Sequence, residues 1–565
     1  MKIDYGKHQL EFFNNSGYLQ KGETLEDRIE DIVRVVRTYE HQYMDGLSEI
    51  IKEMLYKREL SPSTPQWSNL GRKKVEGSNS QALPASCNIV SVGDSIADIY
   101  GAYGEIAMLS KLGAGVGVNW INVSETGTKL GPNFYSNNKL DWVEDGVRVS
   151  QKVSQGVRRG YSVPFISIMD KSFYDIMKRA DKTNPNPHDP LVDNNIGIIL
   201  PPGFMEDMKT NKEAQKRFIL IMQQRKMKGK IYLMDMDNSN KNTSPVYGKL
   251  GHVVDSTNIC SEVLTPSYDD KTFVCVLASL NLQFWDELKA NPQKIKAAFM
   301  FLDICVSEYI RLTEGIPFME KSRRSAMEKR DIGLGTLGLH DLLQSKGFAF
   351  GDMGSRMLNK EIYSTIREIG EEYTKEIGEK LGSPKMCQEA GMTRRNVSLM
   401  MVAPNKSTSF TAGETSMGIE PFMSNYFVHD LSAIHKVFKN PHLEKLLEEK
   451  GMNTVDVWND ISKHQGSVQH LDFLSKEEKE VFKTATEISP KDMIDLAADR
   501  QKYIDMGQSF NLFDRPGYTI QDVYNIHKYG FEKGIKTFYY YYPSGHASIS
   551  RDSGESWDDC VACAD

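Results

Sequence analysis

Long apolar runs are missing from this sequence. Nothing approaches the ~18 consecutive apolar residues of a membrane span, and the opening stretch MKIDYGKHQLEFF has no basic segment leading into an apolar one. Neither a membrane anchor nor a secretory signal is expected, and a cytoplasmic protein is the default. An excess of positive charge is also missing: 69 Lys and Arg stand against 76 Asp and Glu, a net charge of −7. That excludes a general nucleic-acid coat, which needs a basic stripe. Cysteine is sparse and odd in number, seven in 565 residues. A secreted disulfide scaffold is therefore unexpected, and reduced thiols, some of them reactive, are expected instead. There is no GxxxxGK(S/T) phosphate loop, no second CxxC or HxxxH to complete a zinc site, and no internal repeat.

What is present is an ordinary globular composition, 40% hydrophobic and 26% charged. The length allows several domains or one large barrel with additions. Leu25, Ile29, Ile32, Val33 and Val36 recur at helical spacing, and Thr24 with Asp27 has the form of a capping box. Gly46 should break this helix, leaving Leu47, Ile50, Ile51, Met54 and Leu55 on the buried stripe of a second. From Ser61 onward, apolar runs such as Asn194 to Leu200 and Phe273 to Leu282 alternate with helical stretches. That is the pattern of βα units around a buried, largely parallel sheet. Residues 440–505 return to helix, with Ser475 and Glu478 as a cap and Leu443, Leu446 and Leu447 on an apolar face. Residues 543–565 are polar and rich in Ser and Asp, and read as a mobile tail.

Several motifs carry chemistry. Cys560 and Cys563 form a CxxC in the polar tail; they are either incidental or a tethered thiol pair suited to disulfide exchange. Asn258, Cys260 and Glu262 form an N-x-C-x-E. In an extended segment their side chains would share one face, an amide, a thiol and a carboxylate together; the alternative is a buried structural cysteine beside solvated polar groups. Cys87 and Cys275 lie in apolar, strand-like runs that ordinarily hold inert core thiols, and spacing alone does not pair them. Cys305 and Cys387 fall in helical stretches. Gly113, Gly115 and Gly117 make a GxGxG, either a tight turn into a strand or a close backbone approach to a ligand. Residues 154–160, with adjacent Arg158 and Arg159, read as a solvated loop or an anion clamp. Tyr539 and Tyr540 sit in an aromatic run that reads first as buried strand, although adjacent tyrosines also suit proton-coupled oxidation.

Taken in order, these motifs resemble the catalytic (large, or alpha) subunit of ribonucleotide reductase over about residues 60–565. The set comprises residues 61–65, Ser86-Cys87, the GxGxG, the N-x-C-x-E, the Cys275 strand, Gly418-Ile419-Glu420-Pro421, the tyrosine pair and the tail cysteines. The resemblance implies a ten-stranded α/β barrel, two parallel five-stranded halves antiparallel to each other, with a finger loop through the centre. The chain would then divide into an N-terminal helical segment (1–60), the barrel (61–542) and a redox tail (543–565).

The resemblance further implies that Cys260 becomes the thiyl radical that abstracts the 3′-hydrogen of a ribonucleotide. Glu262 would take the 3′-hydroxyl proton and Asn258 would orient the substrate. Cys87 and Cys275 would protonate the departing 2′-hydroxyl and supply two electrons, ending as a disulfide. Cys560 and Cys563 would re-reduce that disulfide and be restored by thioredoxin or glutaredoxin. Tyr539 and Tyr540 would relay the radical from a separate, metal-containing small (beta) subunit. Thr64, Ser86, Ala114, Gly115 and the segment Pro404, Asn405, Lys406, Ser407 and Thr408 would hold the substrate, a diphosphate if the resemblance to class I holds, with Lys406 as a phosphate contact. Asp94 with Ser154, Gln155, Gly156, Val157 and Arg158 would form the specificity site for dNTP or ATP effectors, at the interface of a homodimer.

No metal or cofactor is expected on the chain itself. The residues ahead of Ser61 are too few for an N-terminal ATP-binding cone as well as a helical domain, so no overall activity site is expected here. Two other readings stand beside this one. One is an adenosylcobalamin-dependent class II reductase, which shares the barrel and cysteines; the other is a nucleotide-binding redox adaptor that has lost catalysis.

Overall fold

The computed structural model describes residues 3–72, 83–85, 87–155, 158–181, 184, 186, 188–192, 194–431 and 434–543. Its N-terminal helices form as their caps dictate. Thr24 and Asp27 cap Leu25–Tyr43 reciprocally, and Gly46, at φ 77°, sets off the next helix, Leu47–Tyr56. Ile29, Ile32, Val33, Val36, Leu47, Ile51, Met54 and Leu55 are buried; Ile50, expected on the same stripe, lies at its edge and is only half-buried.

One buried carboxylate ties these helices to the rest. Asp303, inside the helix Pro292–Leu312, accepts hydrogen bonds from Tyr43 Oη (2.5 Å), Arg330 Nε (2.8 Å), Arg395 Nε (2.9 Å) and Asn396 Nδ2 (2.9 Å). Burial alone would raise its pKa, but Arg330 and Arg395 outweigh burial and hold the carboxyl well below the usual range.

Nine strands among the described residues form the central sheet: β1 (Leu60–Pro62), β2 (Cys87–Ser91), β3 (Gly115–Asn119), β4 (Tyr161–Ser167), β5 (Ile196–Leu200), β6 (Ile231–Asp235), β7 (Phe273–Asn281), β8 (Ile332–Leu337) and β9 (Thr537–Phe538). Strands β2 to β6 run parallel in chain order. Helices Ile96–Lys111, Lys139–Lys152, Phe173–Arg179 and Lys212–Lys228 supply the crossovers that parallel pairing requires. At one edge β7 pairs antiparallel with β2 and with β1, and parallel with β8; at the other, β9 pairs antiparallel with β6.

Beyond β8 the pairing continues as single parallel bridges, Leu334 with Met400 and Val402 with Gln508. Tyr539 N then donates to Phe510 O at 2.9 Å, leading back to the β9 segment. Among the described residues the central sheet thus has nine regular strands, and the expected ten are not confirmed. Segments 400–402 and 508–510 make bridges rather than ladders. The amide of the adjoining Gly507 is committed elsewhere, donating to Glu262 O at 2.7 Å. None of the described helices is long and apolar enough to cross a membrane.

Inside the curl runs a short hairpin, Val254–Thr257 paired antiparallel with Leu264–Pro266, whose tip is residues 258–262. Two glycines make room for it. A Cβ on Gly117 would run into Thr257 O and lie 2.9 Å from Asn258 Cα, and one on Gly507 would lie 2.9 Å from Ser261 O. The GxGxG makes the turn expected of it, and its close approach is to the chain itself. Gly113, at φ 89°, makes the turn into β3, and Gly117 admits a backbone, that of the protein's own loop.

Gly117→Ala should displace the hairpin and destabilise the protein by roughly 1–3 kcal/mol, the usual cost of overpacking. Thermal melts of the two proteins check this, and an unchanged melting temperature would show that the loop has slack.

Candidate functional site

The tip of the hairpin is a turn, not the extended segment expected from the N-x-C-x-E spacing. Ser261 N donates to Asn258 O at 3.1 Å, and Ser261 adopts the left-handed region at φ 65°. Asn258 and Glu262 converge because of this turn: Asn258 Nδ2 donates to Glu262 Oε1 at 2.9 Å, while Asn258 Oδ1 accepts from Val263 N at 3.1 Å. Ser509 locks the far side, its Oγ lying 3.0 Å from Glu262 Oε2 and 2.7 Å from Cys260 O. Asn258, Cys260 and Glu262 are all fully buried. Burial pushes the Glu262 carboxyl up to about 7 against the hydrogen bonds from Asn258, its own backbone, Ser509 and Cys87. A carboxyl so placed exchanges a proton near neutrality, as a general acid or base must.

The two strand cysteines meet across the seam between the sheet's antiparallel neighbours. Cys275 on β7 is the register partner of Cys87 on β2. Directly opposed residues of an antiparallel pair have Cα atoms ~4.5–5.5 Å apart, within the range a disulfide bridges. Neither is in a disulfide and both are buried, packed with Ile89, Val263, Leu277, Met401 and Met506. Cys87 Sγ lies 3.9 Å from Glu262 Oε1. Burial drives the Cys275 thiol far up, with Asp331 and Cys87 adding to it, so it stays protonated. Cys305 and Cys387 are buried in helices away from this seam, as expected.

A column of tyrosines reaches Cys260 from outside. Tyr539 Oη donates to Cys260 Sγ at 3.6 Å. The Tyr539 and Tyr540 rings are 4.3 Å apart between centroids, and Tyr232 of β6 packs on both, at 4.6 and 5.2 Å. Asn195 Nδ2 holds Tyr540 Oη at 3.1 Å and also donates to Tyr232 Oη. Burial raises the pKa of all three phenols, and the neighbouring Cys260 adds to the effect at Tyr539.

One buried cation braces this column, and a second anchors the strand β9 that leads into it. Arg225 donates to Tyr539 O and to His527 Nε2, both at 2.9 Å, and burial lowers its pKa to about 9. Lys536, lowered to about 7 by burial, donates to the carbonyls of Asp505 (2.9 Å) and Met506 (2.8 Å) and to two more. Glu420, of the Gly-Ile-Glu-Pro segment, is pushed up to about 8 by burial and accepts from Asn511 Nδ2; Asn511 Oδ1 in turn holds Tyr540 N at 2.8 Å.

The remaining expected residues are placed as follows. Gly115 is the register partner of Cys87, and Ala114 precedes it, buried. Thr64 is buried at the start of Thr64–Asn69, with its hydroxyl 2.9 Å from Tyr18 Oη. Residues 404–408 lead into the short helix Lys406–Thr411, with Asn405 left-handed at φ 56°. Asn405 Oδ1 accepts from Ser279 Oγ and Thr408 Oγ1, each at 3.0 Å, which fixes the segment against β7. Asp94 accepts from Ser124 N at 2.5 Å. The backbone pairs Ser154 with Arg159 and Gln155 with Arg158. Ser86, Gly156, Val157, Cys560 and Cys563 lie outside the described residues. Ser509, Asn195, Tyr232, Arg225 and Lys536 were not foreseen. Tyr232, inside the run Ile231–Asp235, is the one with a signal, an aromatic inside a strand beside the tyrosine run.

A polar hairpin thus carries a thiol into the middle of a curled α/β sheet, with two opposed strand thiols beside it. A family model described as "Ribonucleotide reductase, barrel domain" matches residues 85–217, 213–390 and 384–541. The chain belongs to the ribonucleotide reductase family. It is 35% identical over 361 residues to the ribonucleoside-diphosphate reductase large subunit of Invertebrate iridescent virus 3, covering 62% of this chain and 56% of that protein. It is 27% identical over 532 residues to the large subunit of Caenorhabditis elegans, covering 81% and 66%. The chain thus spans between about half and two thirds of these relatives' length. The Actinobacillus ureae class Id ribonucleotide reductase alpha subunit matches with a TM-score of 0.86 at 32% identity, over 97% of this chain and 99% of that one.

The raised Glu262 pKa has a stability consequence. Between about 4.5 and 7 the folded protein holds a proton on Glu262 that the unfolded chain has released. Stability is therefore lost as pH rises through this window, by roughly 3 kcal/mol for a shift of this size. Glu262→Gln should lack this loss. Urea midpoints of the two proteins should diverge from pH 5 to pH 8 in favour of the variant; parallel profiles would contradict the assignment.

Proposed function

We propose that this chain is the catalytic subunit of a class I ribonucleotide reductase, converting ribonucleoside diphosphates to 2′-deoxyribonucleotides by thiyl-radical chemistry. The observation that carries the reading is the contact of Tyr539 Oη with Cys260 Sγ at 3.6 Å, at the inner end of a buried tyrosine column. A hydrogen atom leaves the Cys260 thiol along this column, to a radical supplied by a small (beta) subunit. The thiyl at Cys260 abstracts the 3′-hydrogen of the substrate, and Glu262 takes the 3′-hydroxyl proton. One of Cys87 and Cys275 protonates the departing 2′-hydroxyl, which leaves as water, and the other gives its hydrogen atom to C2′; the two sulfurs then join in a disulfide, passing the remaining electron to the 3′-carbonyl as Glu262 returns its proton to the 3′-oxygen. The 3′-hydrogen then returns from Cys260, restoring its radical. Cys560 and Cys563 reduce the disulfide, and a thioredoxin or glutaredoxin restores them.

Asn258, Thr64, Ser86, Ala114, Gly115 and residues 404–408 are assigned to the substrate, with Lys406 toward its phosphates. Asp94 and residues 154–158 are assigned to the dNTP or ATP effector. Homodimerisation is supported by the exposure of Ile96 and Tyr100 at the start of Ile96–Lys111, and of Leu130, Phe134 and Tyr135 on the following loop. No observation favours the cobalamin-dependent reading, and a redox adaptor has no use for the Tyr539–Cys260 contact.

The test is turnover of a nucleoside diphosphate with a dithiol reductant, in one arm with a candidate radical subunit and in the other with adenosylcobalamin. Activity in the second arm alone would reject the class I assignment. Cys260→Ser should lower turnover by roughly 10³-fold or more, to background. Cys563→Ser should preserve a single turnover of the prereduced enzyme, read by rapid quench, and abolish multiple turnover. Continued cycling of Cys260→Ser would exclude the mechanism.

A further inference from the structure

Beside the barrel, Pro441–Glu449, Val455–Lys463 and Lys476–Val481 pack a small core of their own, with Leu443, Leu447, Trp458 and Ile461 at its centre. On the surface of this cluster Asp460, His464 and His470 come together, each offering a ligand atom within 4.8 Å of the others. Asp460 and His464 are four residues apart and share a face at the end of Val455–Lys463. The turn that follows returns the chain to them. Gln465 and Gly466 are both left-handed, at φ 57° and 81°. Gly466 N donates to Ile461 O at 2.9 Å, and Gly466 O accepts from Asn425 Nδ2 at 2.9 Å. Val468 and Leu471 are buried on either side of His470, so the position of that histidine is set by packing.

The side chains are arranged around one carboxylate. His470 Nε2 is 2.9 Å from Asp460 Oδ2, and His464 Nδ1 is 2.9 Å from the Asp460 carbonyl oxygen and 3.4 Å from Asp460 Oδ1, so His464 must turn to present a ring nitrogen to an ion. The two imidazoles stack with centroids 3.6 Å apart and 23° between their planes. His470 Nδ1 is buried and has no hydrogen-bond partner among the described residues. Two imidazoles and a carboxylate with a ligand atom each inside 4.8 Å are a set that zinc takes.

We propose that Asp460, His464 and His470 form a metal site for Zn²⁺ or a similar divalent transition metal, with water at the open position. None of the three belongs to the barrel site. Zinc bonds of about 2.0–2.2 Å require the donors to draw closer together. Asp460 and His464 can do so, because both side chains are about half exposed, at 46% and 50%. The role assigned to the ion is structural: it clips the return loop 465–471 to the end of Val455–Lys463.

The test uses the full-length chain carrying Cys560→Ser and Cys563→Ser, so that the tail thiols do not compete for metal. The protein is stripped with chelator and titrated with Zn²⁺ by calorimetry and with Co²⁺ by visible absorption. One equivalent per chain should bind saturably, with cobalt d–d bands and a metal-dependent rise in melting temperature. His464→Gln with His470→Gln should weaken binding at least tenfold and remove the metal-dependent rise. Asp460→Asn, at an exposed position, repeats the test without disturbing the packing around His470. No saturable binding by the parent, or undiminished binding in both variants, would overturn the proposal.

Discussion

The structure depends on bringing a polar hairpin tip into an apolar interior without leaving its groups unsatisfied. An amide, a thiol and a carboxylate would each cost free energy there if they lost water and gained nothing. The tip meets this constraint locally: Asn258 answers Glu262, Ser509 answers both Glu262 and the Cys260 carbonyl, and Gly507 answers the Glu262 carbonyl. The glycines that flank the hairpin follow from the same constraint, since two backbones in contact leave no room for a Cβ.

A second consequence concerns the tyrosine column. Arg225 and Lys536 are buried cations whose hydrogen bonds go to neutral partners, mostly carbonyls, rather than to carboxylates. An adjacent carboxylate would stabilise them better, but it would also be a strong proton acceptor near the phenols. With carbonyls and a neutral imidazole instead, Tyr539 keeps its proton and its single sulfur contact. Positive charge near the ring further disfavours any build-up of cation on an oxidised phenol unless the proton leaves with the electron. The bracing of the column and the chemistry proposed for it thus rest on one electrostatic arrangement.

Much of this was legible in the sequence, for identifiable reasons. The caps at Thr24 and Ser475 and the apolar runs of β5 and β7 rest on local rules that tertiary context did not override. The cysteines could be sorted by surroundings, but not paired, because the register that opposes Cys87 to Cys275 is a property of the sheet and not of either strand. The N-x-C-x-E was read as an extended segment because serine at its fourth position gives no warning of a left-handed turn; tertiary contacts force Ser261 to φ 65°. Ser509 and Asn195 carry no pattern at all, being ordinary polar residues until the fold brings them to the tip and the tyrosines. Glu420 stood in a segment already singled out, yet its link to Tyr540 passes through Asn511, ninety-one residues away.

If Cys87 and Cys275 cycle as proposed, their position gives that cycle a mechanical side. They face each other on β2 and β7, the antiparallel junction where the run of parallel strands β2 to β6 meets β7 and β8. A bond between the two sulfurs would be a covalent rivet through that junction, closing a long loop of chain whose constraint is worth ~5 kcal/mol on chain-entropy grounds. Each turnover would then set the rivet and each re-reduction would draw it out. The spent enzyme would be the stiffer and more durable form, and the ready enzyme the more compliant one.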